Sequence, residues 1–288
     1  MPNKNIREEY NLSKHTWFGT GGKAKTFFTP QTENELLEYL KNKINENYIL
    51  LGSGSNILFR DKGCLETVIK LGKNFRKIEL IDNKIKCGSG VLKSQLSQFA
   101  LENEIKNFEF LSCIPGTIGG GIKMNAGCFG FEFKDIVEEV HCINKEGKRY
   151  LLNHQDLQFQ YRKSNIPNDA IITFVVFRAN SGNRFEIKSL IEKFKSIKSK
   201  NQPTQIKTGG STFKNPKENI KAWELIKKSG CHNLKIGNVK FSDTHCNFIE
   251  NSGNSSSDIE MLIDQTINKV KDQFDIILEP EIKIFGEK

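Results

Sequence analysis

Two glycine-rich stretches carry residue types that could bind a phosphate. The first, LGSGSNIL at 51–58, follows a predicted strand, and its small residues would let consecutive backbone N–H groups converge on an anion. It lacks the Gly-Lys-Ser/Thr ending of a P-loop, and Ile57 stands where a Rossmann fingerprint needs its third glycine. Taken alone, such a loop is an ordinary turn more often than a phosphate site.

The second stretch, SCIPGTIGGGIKMNAG at 112–127, holds five glycines and one proline. Isoleucine and methionine recur among the small residues, which argues for a turn that packs and against a flexible linker. For either stretch considered singly, tight packing between layers is an alternative. Two loops with unshielded N–H groups in one chain favour a ligand with two linked phosphates, and therefore a dinucleotide.

Alternating helices and strands must position these loops. Thr32 and Glu35 predict a capping box for a helix over 33–44, and the strands on either side of it complete a β-α-β unit. Turns at 82–83 and 146–147 predict two hairpins, with a helix between them.

Three helices are predicted in the last third of the sequence, one of them ending at Gly230. Helices are expected over 186–199 and 257–274, the second with its apolar residues in one stripe. Together these elements predict an α+β fold class with three parts, at 1–70, 71–182 and 183–288.

Composition limits the class of protein. The chain has 288 residues, 37% of them hydrophobic, and seven cysteines without a C-x-x-C pair, which predicts reduced thiols and no metal site. The polar start at 1–14 and the strand-sized longest apolar run predict neither a signal peptide nor a membrane span, and hence a cytoplasmic protein. The net charge of +9 leaves two interpretations open, a solvated lysine-rich surface that steers anions or a nucleic-acid surface.

Seven short motifs occur in an order that resembles one family. They are HTWFGTGGKA, LGSGSNILFRDKG, IPGTIGGGIKMNAGCFG, YRKS, GGSTFKNP, HCNFIEN and LEPEI, and they extend from about Thr16 to Phe285. This order is similar to that of the UDP-N-acetylenolpyruvoylglucosamine reductases. The resemblance implies noncovalent FAD in a two-lobed, PCMH-like domain, NADPH as reductant, and a following α+β domain for a small UDP-sugar, whose last strand returns to the active site. It also implies a monomer that works in peptidoglycan precursor synthesis and binds neither nucleic acid nor membrane.

The resemblance also carries over site residues. It implies Ser211 as the proton donor, with Arg162 and Glu281 stabilising the resulting enol or enolate. Substrate contacts are expected from Tyr161, Lys214 and Asn215. The expected cofactor-binding residues are Gly52, Ser53, Gly54, Ser55, Asn56, Ile114, Pro115, Gly116, Thr117, Gly119, Gly120, Asn125 and Gly127.

Residue types alone favour structural roles for the same positions. Ser211 is interpreted as a turn serine, and Arg162 as a surface ion-pair residue. Glu281 is interpreted as part of a solvated strand edge. For Asn215, a capping role explains the residue almost as well as a substrate contact. His245 is interpreted as a structural hydrogen-bonding residue. Lys214 is the nearest cation in sequence that could assist Ser211, because serine by itself is a weak acid.

The chain departs from the family pattern in several places. Gly19, Thr20, Gly121 and Lys123 replace residue types that are commoner in the family, at positions without an assigned chemical role. Only eight residues, 163–170, separate Arg162 from IITFVVF, which indicates the subtype with a short loop. Substrate clamping by a tyrosine on a long loop therefore cannot be carried over. Other FAD oxidoreductases of the same flavin-domain class, acting on an alcohol or sugar, and a basic nucleic-acid binder are the alternative functions.

Overall fold

The computed structural model describes residues 4–43 and 46–288. Residues 1–3, at the start of the polar N-terminal stretch, and Ile44, the predicted last residue of the first helix, lie outside the described residues. The α-helices are α1 (Glu33–Asn42), α2 (Lys93–Glu102), α3 (Ile118–Lys123), α4 (Arg184–Asn201), α5 (Ala222–Lys228) and α6 (Ser256–Phe274). Short 3₁₀ helices lie at Ser13–His15, Lys73–Arg76, Glu109–Cys113, Phe133–Asp135 and Cys231–Asn233.

The strands form sheets of mixed size. They are β1 (Ile6–Asn11), β2 (Lys23–Phe28), β3 (Tyr48–Leu50), β4 (Ile57–Phe59), β5 (Cys64–Ile69), β6 (Ile78–Ile81), β7 (Lys84–Gly88), β8 (Gly127–Cys128), β9 (Phe131–Glu132), β10 (Val137–Ile143), β11 (Arg149–Asn153), β12 (Ile171–Arg178), β13 (Lys235–Ile236), β14 (Val239–Phe241), β15 (Ile249–Asn251) and β16 (Lys283–Phe285). Their orders are β1-β2-β5-β3, β11-β10-β12-β7-β6 and β13-β14-β15, with the pairs β16-β4 and β8-β9. The mixture of helices and mostly antiparallel strands confirms the predicted α+β class.

Local sequence signals account for most of these elements. The Thr32 side chain accepts the amide of Glu35 at 3.2 Å and so begins α1, as predicted. The Glu35 carboxylate accepts the amide of Gln31 instead of that of Thr32, so only half of the predicted capping box forms. The β6–β7 hairpin turns through Asp82 and Asn83, both with positive φ, which confirms the predicted turn.

The chain divides into two compact units. The first comprises Met1–Arg7, Phe27–Ser53 and Thr67–Lys198, and the second comprises Glu8–Thr26, Gly54–Glu66 and Ser199–Lys288. The division at residues 70 and 182 stays a prediction.

Each unit has its own apolar core. In the first unit, α2, α3 and the sheet β11-β10-β12-β7-β6 enclose one cluster, and α1 packs in a second cluster with residues of β2 and β5. In the second unit, the stripe of α6 packs against α5 and the sheet β13-β14-β15. Ile259, Leu262, Ile263 and Val270 of that stripe are fully or almost fully buried, as the predicted periodicity requires.

All seven cysteines are free thiols. Within residues 4–43 and 46–288, no helix is long and apolar enough to cross a membrane. The same residues contain no group of three or more His, Cys, Asp and Glu side chains arranged to hold a metal ion.

Candidate cofactor site and active site

The two glycine-rich loops meet in the first unit. Gly52 follows β3, and a Cβ placed on it would lie 2.7 Å from Oγ1 of Thr117. The same hydroxyl accepts the amide of Gly120 at 3.4 Å and caps α3. The close approach of the two loops therefore requires glycine at position 52, because any side chain would push Thr117 away from its capping position.

Three backbone amides at this junction are available for a ligand. Among the described residues, the N–H groups of Gly52, Gly116 and Thr117 have no hydrogen-bond acceptor. Gly116 has a φ of 109°, a conformation that favours glycine. Unpaired amides from two loops are the donors that a diphosphate needs.

Most other amides of the second loop donate within the protein, contrary to the predicted row of unshielded N–H groups. Ile118 donates to the carbonyl of Val91 and Gly119 to that of Ser89, each at 2.8 Å, and Gly121 donates to Thr117 at 3.0 Å. A Cβ on Gly119 would lie 3.1 Å from Cβ of Ser89, so this glycine serves packing as well. The capacity to bind an anion is therefore concentrated before α3 begins.

Gly54 is fixed by a different constraint. Its φ is 74°, and a Cβ there would lie 1.9 Å from the carbonyl oxygen of His15. The carbonyl of Gly54 also accepts the amide of Trp17 at 3.0 Å. A side chain at this position would displace the backbone of residues 15–17, whether or not a ligand lies nearby. Ser53 and Ser55 on either side of it are half-buried.

Asn56 joins the first loop to the last strand in the second unit. Its side-chain amide donates to the carbonyl of Glu281 at 3.1 Å, and its own carbonyl accepts the amide of Lys283 at 3.1 Å. Directly after Asn56, β4 begins its parallel pairing with β16. Asn56 therefore holds the backbone of Glu281 in place.

The side chain of Asn125 holds the second loop in place through hydrogen bonds within the protein. It is fully buried, with a φ of 43°, and its side chain makes three hydrogen bonds within the protein. The amide nitrogen donates to Glu132 at 2.9 Å and to the carbonyl of Gln160 at 3.0 Å, while Oδ1 accepts the amide of Lys134 at 3.0 Å. These bonds connect the loop to the turn that precedes Arg162.

Arg162 lies in a turn that contacts the second loop. Its Nη2 donates to the carbonyl of Gly127 at 3.2 Å, and its guanidinium lies 4.9 Å from the ring centroid of the exposed Tyr161. The φ of Arg162 is 55°, a costly conformation for a residue with a side chain. Such strain is concentrated at functional sites, which supports a role for this arginine beyond a surface ion pair.

Lys123 secures the short loop after Arg162, which the sequence did not reveal. Its Nζ donates to the carbonyls of Ile166 at 2.6 Å and Pro167 at 2.7 Å. Its own carbonyl accepts the hydroxyl of Ser164 at 2.9 Å. This departure from the family pattern therefore fixes the course of the short loop.

In the second unit, Ser211 and Glu281 belong to adjoining extended segments. The amide of Glu281 donates to the carbonyl of Thr212 at 2.8 Å, and Ser211 forms an isolated bridge with Phe248. The hydroxyl of Ser211 is half-buried and has no hydrogen-bond partner among the described residues. A hydroxyl in that state is free to donate to a ligand.

Asn247 is the residue that holds this segment, and sequence reasoning missed it. Its Oδ1 accepts the amide of Phe213 at 3.0 Å, its Nδ2 donates to the carbonyl of Phe213 at 2.9 Å, and its carbonyl accepts the amide of Thr212 at 2.7 Å. The only signal was its place in the HCNFIEN motif. His245 accepts the amide of Asn247 through Nδ1 at 3.2 Å, and burial lowers the pKa of its imidazole, in keeping with its structural interpretation.

Lys214 and Asn215 already have protein partners. The Lys214 ammonium forms an ion pair with the exposed carboxylate of Glu279. The Asn215 side chain accepts the amide of Ala222 at 3.1 Å and so caps α5. Both side chains are half-buried, and neither arrangement prevents an additional contact with a ligand.

Comparison with known proteins places the chain in a family. Residues 24–152 match the model of an FAD binding domain, and residues 202–285 match that of the C-terminal domain of UDP-N-acetylenolpyruvoylglucosamine reductase. The reductase of that name from Rickettsia akari is 42% identical over 283 residues, with 98% of this chain and 96% of the relative covered. The one from Pelagibacter ubique is 42% identical over 284 residues, covering 97% of this chain and 94% of the relative.

A solved structure gives the same result. The UDP-N-acetylenolpyruvylglucosamine reductase from Thermus caldophilus has a TM-score of 0.86 and 31% identity, covering 98% of this chain and 100% of that chain. The chain therefore belongs to the UDP-N-acetylenolpyruvoylglucosamine reductase family and is an α+β oxidoreductase with an FAD-binding domain.

Proposed function

We propose that the protein reduces the enolpyruvyl ether of UDP-N-acetylglucosamine to UDP-N-acetylmuramate with NADPH, in peptidoglycan precursor synthesis. Family membership over nearly the whole chain supports this reaction. The observation that carries the proposal is the junction of the two glycine-rich loops, where Gly52, Gly116 and Thr117 offer unpaired amides. Such a junction suits the diphosphate of FAD.

The residues present fit noncovalent FAD. The diphosphate would be held by the amides of Gly52, Gly116 and Thr117, with the remaining residues of both loops around it. When bound, FAD supplies hydride transfer from NADPH to the β-carbon of the enolpyruvyl group. Asn125 would act on this site indirectly, by bracing the second loop.

The chain's own polar residues would handle the proton and the charge. Addition of hydride at the β-carbon leaves negative charge on the α-carbon and carboxylate of the substrate, which cationic or hydrogen-bonding groups must stabilise. We assign Ser211 Oγ as the donor of the proton to the α-carbon, and Arg162 and Glu281 as the stabilising groups. The unpartnered hydroxyl of Ser211 and the strained turn at Arg162 support these roles.

Substrate contacts are assigned to Tyr161, Lys214 and Asn215. The ion pair of Lys214 with Glu279 involves a carboxylate that is 69% exposed, so releasing it for a substrate phosphate costs little. Asn215 would contact the substrate while keeping its capping bond to Ala222. A monomeric state and a cytoplasmic location stay predictions.

The test of the function is spectroscopic. We expect the purified protein to be yellow with a flavin spectrum, to lose that absorbance on addition of NADPH, and to regain it on addition of the enolpyruvyl UDP-sugar. A preparation that neither contains nor takes up FAD would contradict the proposal. Flavin that is reduced by an alcohol or sugar and reoxidised by oxygen or another acceptor, with no response to the UDP-sugar, would instead indicate another FAD oxidoreductase.

The junction of the loops gives a second prediction. Gly52→Ala should weaken FAD binding by about tenfold, because its methyl group forces Thr117 out of its capping rotamer. Gly253→Ala is the control for a glycine outside both loops, where a Cβ would lie 3.1 Å from Cβ of Asn238. Titration of both apoproteins with FAD measures the difference, and equal affinities would show that the contact is unimportant.

A further inference from the structure

One carboxylate lies inside the first unit without a partner. Glu109 is 5% exposed, and among the described residues its side chain makes no hydrogen bond and no ion pair. The other buried charged side chain of these residues, that of Lys93, donates to the carbonyl of Pro115 at 2.8 Å. Moving an ionised carboxylate from water into a protein interior costs free energy unless hydrogen-bond donors or cations compensate for it. Stability of the free protein alone therefore does not explain a carboxylate at this position.

Glu109 begins the short 3₁₀ helix that leads into the second glycine-rich loop. The helix ends at Cys113, and after two further residues come the unpaired amides of Gly116 and Thr117. A 3₁₀ helix rises about 2 Å per residue and an extended chain at most about 3.6 Å, so the Cα atoms of Glu109 and Gly116 are no more than about 19 Å apart. A dinucleotide whose diphosphate lies on these amides can therefore bring one of its arms to the carboxylate.

The packing of the short helix fixes Glu109 in place. Phe110 is 1% exposed in the apolar core, and its carbonyl accepts the thiol of Cys128 at 3.4 Å. At the other end of the helix, the ammonium of Lys198 donates to the carbonyl of Cys113 at 2.5 Å and does not pair with Glu109. Part of the Glu109 carboxylate nevertheless reaches the accessible surface, because its oxygens are not among the sealed side-chain atoms that lack a partner. A ligand can therefore contact it.

The charge of Glu109 selects the part of the ligand that can lie against it. A carboxylate repels phosphates, so the diphosphate itself is not its partner. It accepts strong, charge-assisted hydrogen bonds from hydroxyl groups, and an acidic side chain binds a ribose hydroxyl in Rossmann dinucleotide sites. We propose that Glu109 is a further cofactor-binding residue, whose carboxylate accepts a hydrogen bond from a hydroxyl of FAD, on either its ribose or its ribityl chain. This assignment rests on the proposed use of FAD.

Titration of the apoproteins with FAD tests the assignment. Glu109→Met should bind FAD about ten- to a hundredfold more weakly, because it loses a charge-assisted hydrogen bond. Its apoprotein should melt at the same temperature as the unchanged protein or higher, since an apolar chain replaces a buried carboxylate without a partner. Glu109→Gln keeps an acceptor oxygen and should retain part of the affinity. The matched control is Glu104→Met, which removes the same charge from an exposed position five residues earlier.

Competition with ADP shows which hydroxyl is bound. ADP carries the diphosphate and the ribose but no ribityl chain, so Glu109→Met should weaken ADP binding as much as FAD binding if the ribose is the partner, and FAD binding alone if the ribityl chain is.

Three results would overturn the assignment of Glu109. They are an unchanged FAD affinity of Glu109→Met, a loss that Glu104→Met shares, and a loss accompanied by a lower melting temperature of the apoprotein, which would indicate a purely structural role. If Glu109→Met does not fold, Glu109→Gln decides: weaker FAD binding at an unchanged melting temperature supports the assignment, and unchanged affinity overturns it. Failure of the unchanged protein to bind FAD would instead reject the proposed function.

Discussion

Replacing Ser211 by alanine is expected to slow reduction of the enolpyruvyl UDP-sugar by about 10²- to 10⁴-fold, the usual contribution of a placed proton donor. The hydroxyl of Ser211 is half-buried and unpartnered within the described residues, so it can donate to a ligand without breaking a protein hydrogen bond. Oxidation of NADPH needs no proton at the substrate carbon, and its rate should stay near that of the unchanged protein. The variant therefore separates the two half-reactions.

Stopped-flow measurements of each half-reaction decide whether Ser211 donates a proton to the substrate or only orders its turn. Ser211→Cys should recover part of the lost rate, because its proton is more acidic. If Ser211 only orders its turn, the alanine variant will bind the UDP-sugar less tightly or melt earlier, but will turn over normally at saturating substrate. A normal rate at saturation would end the proton-donor assignment.

The local elements of the fold could be predicted because their signals are local. The cap at Thr32, the turn at Asp82-Asn83 and the apolar stripe of α6 each depend on residues within a few positions of one another. The prediction that the Glu35 carboxylate accepts the amide of Thr32 was wrong, because this carboxylate also accepts a hydrogen bond from the distant Asn5. The competing long-range contact is invisible in a single sequence.

The sequence indicates where the two glycine-rich loops lie but not how their residues are bonded, and the assigned site residues stay predictions. Glycine-rich composition indicates where a backbone can be approached, but not which amides are already bonded, and so the amides of 118–121 were overestimated. Asn125, a predicted cofactor residue, makes three side-chain hydrogen bonds within the protein. Asn247 contacts Phe213 across a long sequence separation, and no spacing rule could have selected it.

Asn247→Ala is expected to be the most destabilising change near the active-site segment. Asn247 is 5% exposed and Phe213 is 1% exposed, so loss of the side chain leaves both backbone groups of Phe213 buried without partners. Each unsatisfied group costs roughly 1–3 kcal/mol, so the two groups together give a loss of about 2–6 kcal/mol in the free energy of unfolding. Because Phe213 follows Ser211 by two residues, the loss of this bracket should also lower the rate with the UDP-sugar.

Urea unfolding of the apoprotein measures this loss, with two comparison variants. Asn215→Ala removes the half-buried side chain that caps α5 and should cost about 0.5–2 kcal/mol. Asn247→Asp keeps an acceptor for the Phe213 amide but, when ionised, places a carboxylate against the Phe213 carbonyl. Because that repulsion and burial raise the folded-state pKa of the new carboxyl, the variant should lose stability as pH rises above about 4 and regain part of it in acid, where the protonated group can donate. An Asn247→Ala protein as stable as Asn215→Ala would show that solvent, and not Asn247, satisfies Phe213.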